Sequence, residues 1–199
     1  MKIQQDRPFP TLTWAEAVAY LKADGILAYP TDTVWGLGCR ADNSSLSMKC
    51  LGLKGGDRAS IASVITIPEK IRELVVLPDR WDELLPGPYT LVLPLKTHTL
   101  NHISSQDHFL GCRIPNHTQL LQMVRHSDFP IITTSLNKTG HAPITDLKQA
   151  QVLSSEWGIK MIGEETRLTG ASTVLKWDGS KWILLRKGIG PIPHFTGII

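Results

Sequence analysis

A cluster of small polar side chains follows the first buried-strand pattern of the chain. Residues 25–29 are apolar, and Pro30 ends the strand because proline has no N–H for the ladder and a fixed φ. Trp35 adds an aromatic surface close to three polar residues: Thr31, Asp32 and Thr33. Polar groups orient a bound molecule and an aromatic wall excludes water, so this stretch is typical of a site for a small polar ligand. A strand-exit loop with one half-buried tryptophan is the alternative interpretation.

Basic residues lie at the ends of several predicted elements, where they could hold an anion. Lys54 and Arg58 flank two glycines, which let backbone N–H groups approach an anionic group. Arg113 and Arg186 lie near two other strand ends. Grouped around one cleft, four cations would suit a triphosphate. A cation and an anion of unit charge about 4 Å apart attract by about 4 kcal/mol at an effective dielectric constant of about 20. For each residue alone, a solvated surface charge is the alternative.

A third polar group, Ser135 and Asn137, begins where the predicted strand 131–134 stops. Open α/β sheets bind ligands beyond the carboxyl ends of their strands. We therefore expect these two side chains to border one cleft together with Thr31 and Thr33.

Familiar nucleotide-binding motifs are absent or out of place. The chain has no G-x-x-x-x-G-K-[ST] sequence, and therefore no P-loop. The run Gly36-x-Gly38-x-x-Ala41 matches a looser dinucleotide-binding pattern, but it lies several residues beyond the strand. An NAD-dependent oxidoreductase would require these glycines to begin a helix, and it is kept as a third hypothesis.

The totals fit an ordinary globular protein. The chain has 199 residues, 42% of them hydrophobic, and a formal net charge of only +3. No stretch approaches the roughly 20 apolar residues of a membrane span, and residues 1–6 lack the apolar core of a signal peptide. The three cysteines have no C-x-x-C spacing, so we expect free thiols in a reducing compartment and a cytoplasmic protein without membrane contact.

Helix and strand patterns alternate along the chain, which predicts an α/β domain. Asp178-Gly179 favours a hairpin near the end, so the sheet should be mixed. The predicted helices are 13–25, 44–53, 68–74, 79–85, 117–126 and 146–154. The predicted strands are 26–30, 61–67, 89–93, 110–114, 131–134, 160–162, 172–177 and 181–186.

Six motifs in the same order as in a known family give the chain its most specific signal. They are Tyr29-Pro30-Thr31-Asp32-Thr33-Val34-Trp35-Gly36-Leu37-Gly38, Pro86-Gly87-Pro88-Tyr89-Thr90, Arg113-Ile114-Pro115, Ser135-Leu136-Asn137, Ser172-Thr173-Val174 and Arg186-Lys187-Gly188. From about residue 12 to 190, the chain resembles the YrdC-like family of threonylcarbamoyl-AMP synthases. One site departs from the family's Lys-x-Arg-Pro pattern: Lys54 is present, Gly56 replaces the arginine, and Arg58 is the nearest arginine.

The resemblance implies a fold and a domain organisation. The expected fold is a single α/β domain of the YrdC-like type, with a twisted, mostly buried mixed sheet, flanking helices and a concave basic cleft. Residues 1–11 would be an N-terminal extension, 12–190 the YrdC-like domain and 191–199 a C-terminal tail.

The resemblance also implies an activity. The enzyme would be a nucleotidyltransferase that joins L-threonine, bicarbonate and ATP, with Mg²⁺, into threonylcarbamoyl-AMP and releases pyrophosphate. The product would feed the modification of adenosine 37 in tRNAs that read ANN codons. RNA and the partner proteins of this pathway are further expected partners.

Carried over residue by residue, the resemblance assigns two sets of side chains. Those expected to hold threonine are Thr31, Thr33, Arg113 and Ser172, with Arg113 pairing with the carboxylate. Those expected to hold the ATP phosphates are Lys54, Arg58, Ser135, Asn137 and Arg186. Lys54 and Arg58 would be catalytic, and Trp35 would wall the pocket.

The altered Lys54–Arg58 loop motivates an alternative function. A non-catalytic or YciO-like paralogue would bind RNA or a nucleotide in the same cleft without adenylating threonine. Threonine-dependent consumption of ATP distinguishes the two.

Overall fold

The computed structural model of the protein describes residues 11–55, 62–164 and 168–197. Strands and helices alternate along these ranges. The strands are β1 (Thr11–Leu12), β2 (Leu27–Pro30), β3 (Trp35–Gly38), β4 (Ser63–Ile65), β5 (Tyr89–Pro94), β6 (Phe109–Arg113), β7 (Ile131–Ser135), β8 (Lys160–Ile162), β9 (Thr173–Trp177), β10 (Trp182–Arg186) and β11 (Thr196–Gly197). The helices are α1 (Trp14–Lys22), α2 (Ser44–Gly52), α3 (Ile71–Leu74), α4 (Thr118–Ser127) and α5 (Leu147–Glu156), with 3₁₀ segments at Trp81–Glu83 and His98–Ile103.

The strands form one mixed sheet in the order β1-β8-β2-β3-β7-β4-β6-β5-β9-β10-β11. Strand β4 pairs parallel with β6 and antiparallel with β7, while β5 pairs parallel with β9 and antiparallel with β6. The hairpin β9–β10 is antiparallel, as the Asp178-Gly179 turn predicts. The predicted α/β class with a mixed sheet is confirmed.

The middle of the sheet is buried on both faces. Leu27 and Tyr29 belong to one hydrophobic cluster, and Ala28 between them belongs to the other. The same alternation separates Ile131 from Ile132 in β7. Successive side chains of a strand point to opposite faces, so two separate cores flank these strands. Helices α1 and α4 supply the cover on the Leu27 side.

Two helix starts behave as their sequences predict. The Thr13 hydroxyl accepts a hydrogen bond from the Glu16 N–H at 3.3 Å, and the Glu16 carboxylate accepts one from the Thr13 N–H at 2.8 Å. Asn43 caps α2 through its side-chain oxygen, which accepts from the Leu46 N–H at 3.0 Å. Side-chain groups thus satisfy N–H groups that have no partner within the helix.

One strand was not predicted. Residues 35–38 form β3, which pairs antiparallel with β2, so the stretch after Pro30 is a tight hairpin and not an open strand-exit loop. A Cβ on Gly38 would lie 1.9 Å from the carbonyl oxygen of Ile132, so glycine is required by the close approach of β7. Gly36 and Gly38 therefore belong to a strand and do not begin a helix, which removes the structural basis for the NAD hypothesis.

Two predicted helices are shorter than expected. The helix expected at 68–74 forms only at Ile71–Leu74, and the one expected at 79–85 is a single 3₁₀ turn at Trp81–Glu83. The strand expected at 61–67 is seen at Ser63–Ile65. Within the described ranges, none of the helices is both long enough and apolar enough to cross a membrane.

Candidate active site

A cavity of about 520 Å³ opens over the middle strands of the sheet. Its size lies within the usual range for a small-molecule site. Eight of the predicted site residues line it: Thr31, Thr33, Lys54, Arg113, Ser135, Asn137, Ser172 and Arg186. Arg58 lies outside the described residues. The expectation that separate turns of the chain converge on one hollow therefore matches the placement of these eight side chains.

On one side of the cavity, Arg113 is held by a carboxylate. Arg113 ends β6, and its Nη2 donates to Asp32 Oδ1 at 2.7 Å and to Thr33 Oγ1 at 2.9 Å. The other Asp32 oxygen accepts from the backbone N–H of Asn116 at 3.0 Å. Both charged side chains are buried, with 7% exposure for Arg113 and 9% for Asp32. Burial lowers the pKa of Arg113, and the charge of Asp32 opposes that shift.

The two threonines beside this ion pair are fixed by hydrogen bonds within their own turn. The Thr31 hydroxyl donates to the Val34 carbonyl at 2.8 Å and accepts from the Thr33 N–H at 3.1 Å. The Thr31 and Thr33 hydroxyls are 3.0 Å apart. Both residues are fully buried within the protein, so their positions are set before any ligand arrives.

On the opposite side, Lys54 contacts only neutral groups among the residues described. Its Nζ donates to the backbone oxygen of Ser135, to Ser135 Oγ at 3.2 Å and to Asn137 Oδ1 at 2.8 Å. Burial lowers the pKa of Lys54 to about 8. No carboxylate of the described residues forms a salt bridge with it, so its charge is available to an anion.

The loop after β7 is tied to the end of α2. The Asn137 side-chain nitrogen donates to the carbonyls of Lys138 at 2.9 Å and His141 at 2.8 Å, which fixes the orientation of its amide. The Thr139 N–H donates to the Lys54 carbonyl at 2.9 Å, and its hydroxyl donates to the Gly55 carbonyl. Lys54 is therefore positioned through its backbone as well as its side chain.

The hairpin β9–β10 supplies the third cation. Arg186 donates from Nη2 to the Ser172 carbonyl at 2.9 Å and to Ser172 Oγ at 3.3 Å. The hydroxyls of Ser172 and Thr90 are 2.8 Å apart. Burial lowers the pKa of Arg186. The positive charge of Arg186 also lowers the pKa of Arg113, so the two guanidinium groups are close enough to repel each other.

Trp35 does not wall the cavity. It is fully buried in the larger hydrophobic cluster, and it is not among the residues that line the cavity. Its neighbours Val34 and Gly36 do line the cavity. Because residues alternate between the two faces of a strand, the tryptophan in β3 must face the core when Gly36 faces the ligand space.

Sequence reasoning missed five polar residues that line the cavity: Ser63, Thr90, Thr133, Thr134 and Thr139. Thr90 had a usable signal, since it is the one small polar residue in the otherwise apolar strand pattern of residues 89–93. Thr139 had none, because its contacts with residues 54 and 55 are long-range. Within the described part of the chain, no group of three or more His, Cys, Asp and Glu side chains could hold a metal ion.

The fold and the site together define a family. Residues 19–188 match the Sua5_yciO_yrdC family, described as "Telomere recombination". The threonylcarbamoyl-AMP synthase of Xylella fastidiosa (strain M12) is 34% identical over 143 residues, which cover 67% of this chain and 75% of the relative. That of Halorhodospira halophila is 31% identical over 153 residues, or 73% of this chain and 78% of the relative. The chain belongs to the Sua5/YciO/YrdC family.

Solved structures show the same fold. The Sua5 protein of P. abyssi, complexed with L-threonine, is 25% identical with a TM-score of 0.77 and covers 88% of this chain. The match spans 54% of the Sua5 chain, so this protein corresponds to about half of it. The YciO protein of E. coli has a TM-score of 0.83 at 17% identity and covers 92% of both chains, which shows the shared fold.

Proposed function

We propose that the protein is an L-threonylcarbamoyladenylate synthase. It would convert L-threonine, bicarbonate and ATP into threonylcarbamoyl-AMP, pyrophosphate and water, for the modification of a tRNA adenosine. The main support is that the side chains proposed for threonine and the described ones proposed for ATP open into one cavity. The names of the curated relatives and the threonine complex of a Sua5 protein agree with this choice.

The proposed reaction has two steps. The amine of threonine first captures bicarbonate as a carbamate, with loss of water. A carbamate oxygen then attacks the α-phosphorus of ATP, and pyrophosphate leaves with the bonding electrons of the P–O bond. The protein need not form a covalent bond, because placing the reactants together and balancing the phosphate charge account for most of the acceleration.

Each side of the cavity has a part in this scheme. Arg113 would bind the carboxylate of threonine, and Thr31, Thr33 and Ser172 would orient the rest of the amino acid. The ATP phosphates would contact Lys54 and Arg186, with Ser135 and Asn137 beside them. Arg58, which follows Lys54 by four positions in the sequence, is proposed as a further contact of the phosphates. Mg²⁺ is proposed to arrive with ATP, bound to its phosphate oxygens.

The test is the co-substrate dependence of pyrophosphate release. Purified protein with ATP and Mg²⁺ should release pyrophosphate only when both L-threonine and bicarbonate are present, and mass spectrometry should detect threonylcarbamoyl-AMP. Omission of either co-substrate is the internal control. Pyrophosphate release that does not depend on threonine would overturn the proposed function.

A second candidate is a non-catalytic member of the family that binds RNA or a nucleotide in the same cavity. The observation that favours it is Gly56, which stands where the family pattern has arginine. In that case ATP or RNA would bind with measurable affinity, and threonine would cause no pyrophosphate release. The same assay therefore separates the two candidates.

A further inference from the structure

Asp32 occupies a place in the site that none of the proposed roles explains. It is 9% exposed and is not among the residues that line the cavity, but its carboxylate reaches the guanidinium that does line it. One oxygen accepts from Arg113 and the other accepts from the Asn116 N–H, so both are engaged. A carboxylate whose two oxygens each accept a hydrogen bond is fixed in position.

The ion pair makes this end of the cavity electrically different from the rest. Arg113 and Asp32 together carry no net charge, whereas Lys54 and Arg186 form no salt bridge with any carboxylate in the described ranges. A ligand bound to Arg113 through its carboxylate would also lie within the field of Asp32. An ammonium group on that ligand would be attracted by Asp32, and a ligand without one would be repelled through its carboxylate alone.

We propose, building on the proposed function, that Asp32 is a specificity-determining residue that makes the Arg113 subsite select zwitterionic amino acids over simple carboxylates. The carboxylate of the ligand binds Arg113, and Asp32 compensates the positive charge that would otherwise favour any anion. This selection serves the reaction, because a carboxylate without an amine would fill the subsite and could not form a carbamate.

The test compares two ligands that differ only in the amine. L-Threonine and (R)-3-hydroxybutanoate share the carboxylate and the hydroxyl, and only threonine has the ammonium group. Calorimetric titration should give a ratio of the two affinities for the wild-type protein that favours threonine. Asp32→Asn should lower this ratio by about tenfold, the size expected for unit charges several ångströms apart near a protein surface.

The ratio isolates charge from orientation. Asparagine has an NH₂ group in place of one carboxylate oxygen, and this group cannot accept from the donor that faces it, so Arg113 will be held less well in Asp32→Asn. That loss weakens both ligands, since both bind through the carboxylate, and it cancels in the ratio. Asp32→Glu keeps the charge and should retain the wild-type ratio. Asp32→Ser is a second neutral variant with a small side chain, in case the amide does not fold.

A matched control is available on the surface. Arg40 and Asp42 form a similar ion pair with an Nε–Oδ1 distance of 2.6 Å, and neither lines the cavity. Asp42→Asn should leave the ratio unchanged. If both Asp32→Asn and Asp32→Ser kept the wild-type ratio of affinities, the proposed role of Asp32 would be overturned, while the proposed threonine site would still stand. If the wild-type protein bound neither ligand, the threonine site of the proposed function would fail with it.

Discussion

The two sides of the cavity hold their cations in opposite ways. Arg113 is buried and paired with the carboxylate of Asp32, while Lys54 is half-buried and surrounded by a carbonyl, a hydroxyl and an amide oxygen. The first arrangement is neutral and fixed before any ligand binds. In the second arrangement, the positive charge of Lys54 lies next to neutral groups that an anionic ligand can replace. Under the proposed function, this difference would separate a subsite for the amino acid from a subsite for the phosphates.

The largest expected effect comes from removing Lys54, which pairs with no carboxylate in the described ranges. Lys54→Ala should lower threonine-dependent pyrophosphate release by at least about 100-fold, since developing phosphate charge would lose its nearest partner. The measurement is single-turnover pyrophosphate release at saturating threonine. Lys138→Ala is the matched control, because Lys138 lies in the adjacent loop, pairs with Glu156 at 2.5 Å and does not line the cavity. Equal rates in Lys54→Ala and wild type would contradict the division.

Removing the paired cation should affect the other substrate. Arg113→Gln should weaken threonine binding by about 30-fold through loss of a charge-assisted contact, with ATP binding changed less than about threefold. It should also lower the free energy of unfolding by about 3 kcal/mol, because Asp32 is left buried without its partner. Calorimetry with each substrate and urea unfolding measure the two effects.

The surface pair again supplies a control for this variant. Arg40→Gln breaks an exposed ion pair and should change the stability by less than about 1 kcal/mol. If Arg113→Gln weakened ATP as much as threonine, the two sides of the cavity would not be separate subsites.

The smallest expected effect is a pH dependence confined to the phosphate side. Because burial lowers the pKa of Lys54 to about 8, its charge is lost as the pH rises through that value, and ATP affinity should fall by up to about tenfold between about pH 7 and pH 9. The amine of threonine titrates in the upper part of this range, so the comparison for threonine is the ratio of the wild-type and Lys54→Arg affinities, which should show no inflection. Lys54→Arg stays charged and should flatten the ATP profile. The same slope in wild type and Lys54→Arg would show that another group is responsible.

The free energy of unfolding should also depend on pH through Lys54, and the direction of this dependence can be derived. The unfolded chain keeps the Lys54 proton up to its ordinary pKa of 10.5, whereas the folded protein releases it near 8. Between these values the unfolded state binds more protons, so this residue makes the unfolding free energy rise with pH.

Much of the site could be predicted because the polar residues stand just past strand ends. Arg113 is the exception, because it ends β6, which runs opposite to β7. Thr31 follows β2 and Ser135 ends β7, and these two strands run in the same direction, so their C-terminal ends lie at the same edge of the sheet. Their convergence needed no knowledge of the exact pairing of strands. The carboxylate that holds Arg113 is different, because residues 32 and 113 meet only through the tertiary fold.

The error at Trp35 has a simple physical origin. Glycines and small polar residues disfavour strands on average, so residues 31–38 were predicted to be a loop whose aromatic side chain could face a ligand. In the fold Gly38 allows β3 to approach β7 closely, and strand alternation then turns the tryptophan to the core. Packing of a neighbouring backbone outweighs local preference here, and that packing is not written in any short window of sequence.

The hairpin that carries Ser172 and Arg186 has a consequence for synthesis on the ribosome. Its strand β9 pairs with β5, which lies more than 80 residues earlier in the chain. The segment after β10 is held against β9 by a hydrogen bond from the Thr173 hydroxyl to the Gly190 carbonyl. During synthesis, the N-terminal part of a chain emerges from the ribosome first and can begin to fold first. A nascent chain ending before this hairpin would carry Lys54 and Arg113 without Arg186, so the lining of the cavity would be completed only after residue 186 has been made.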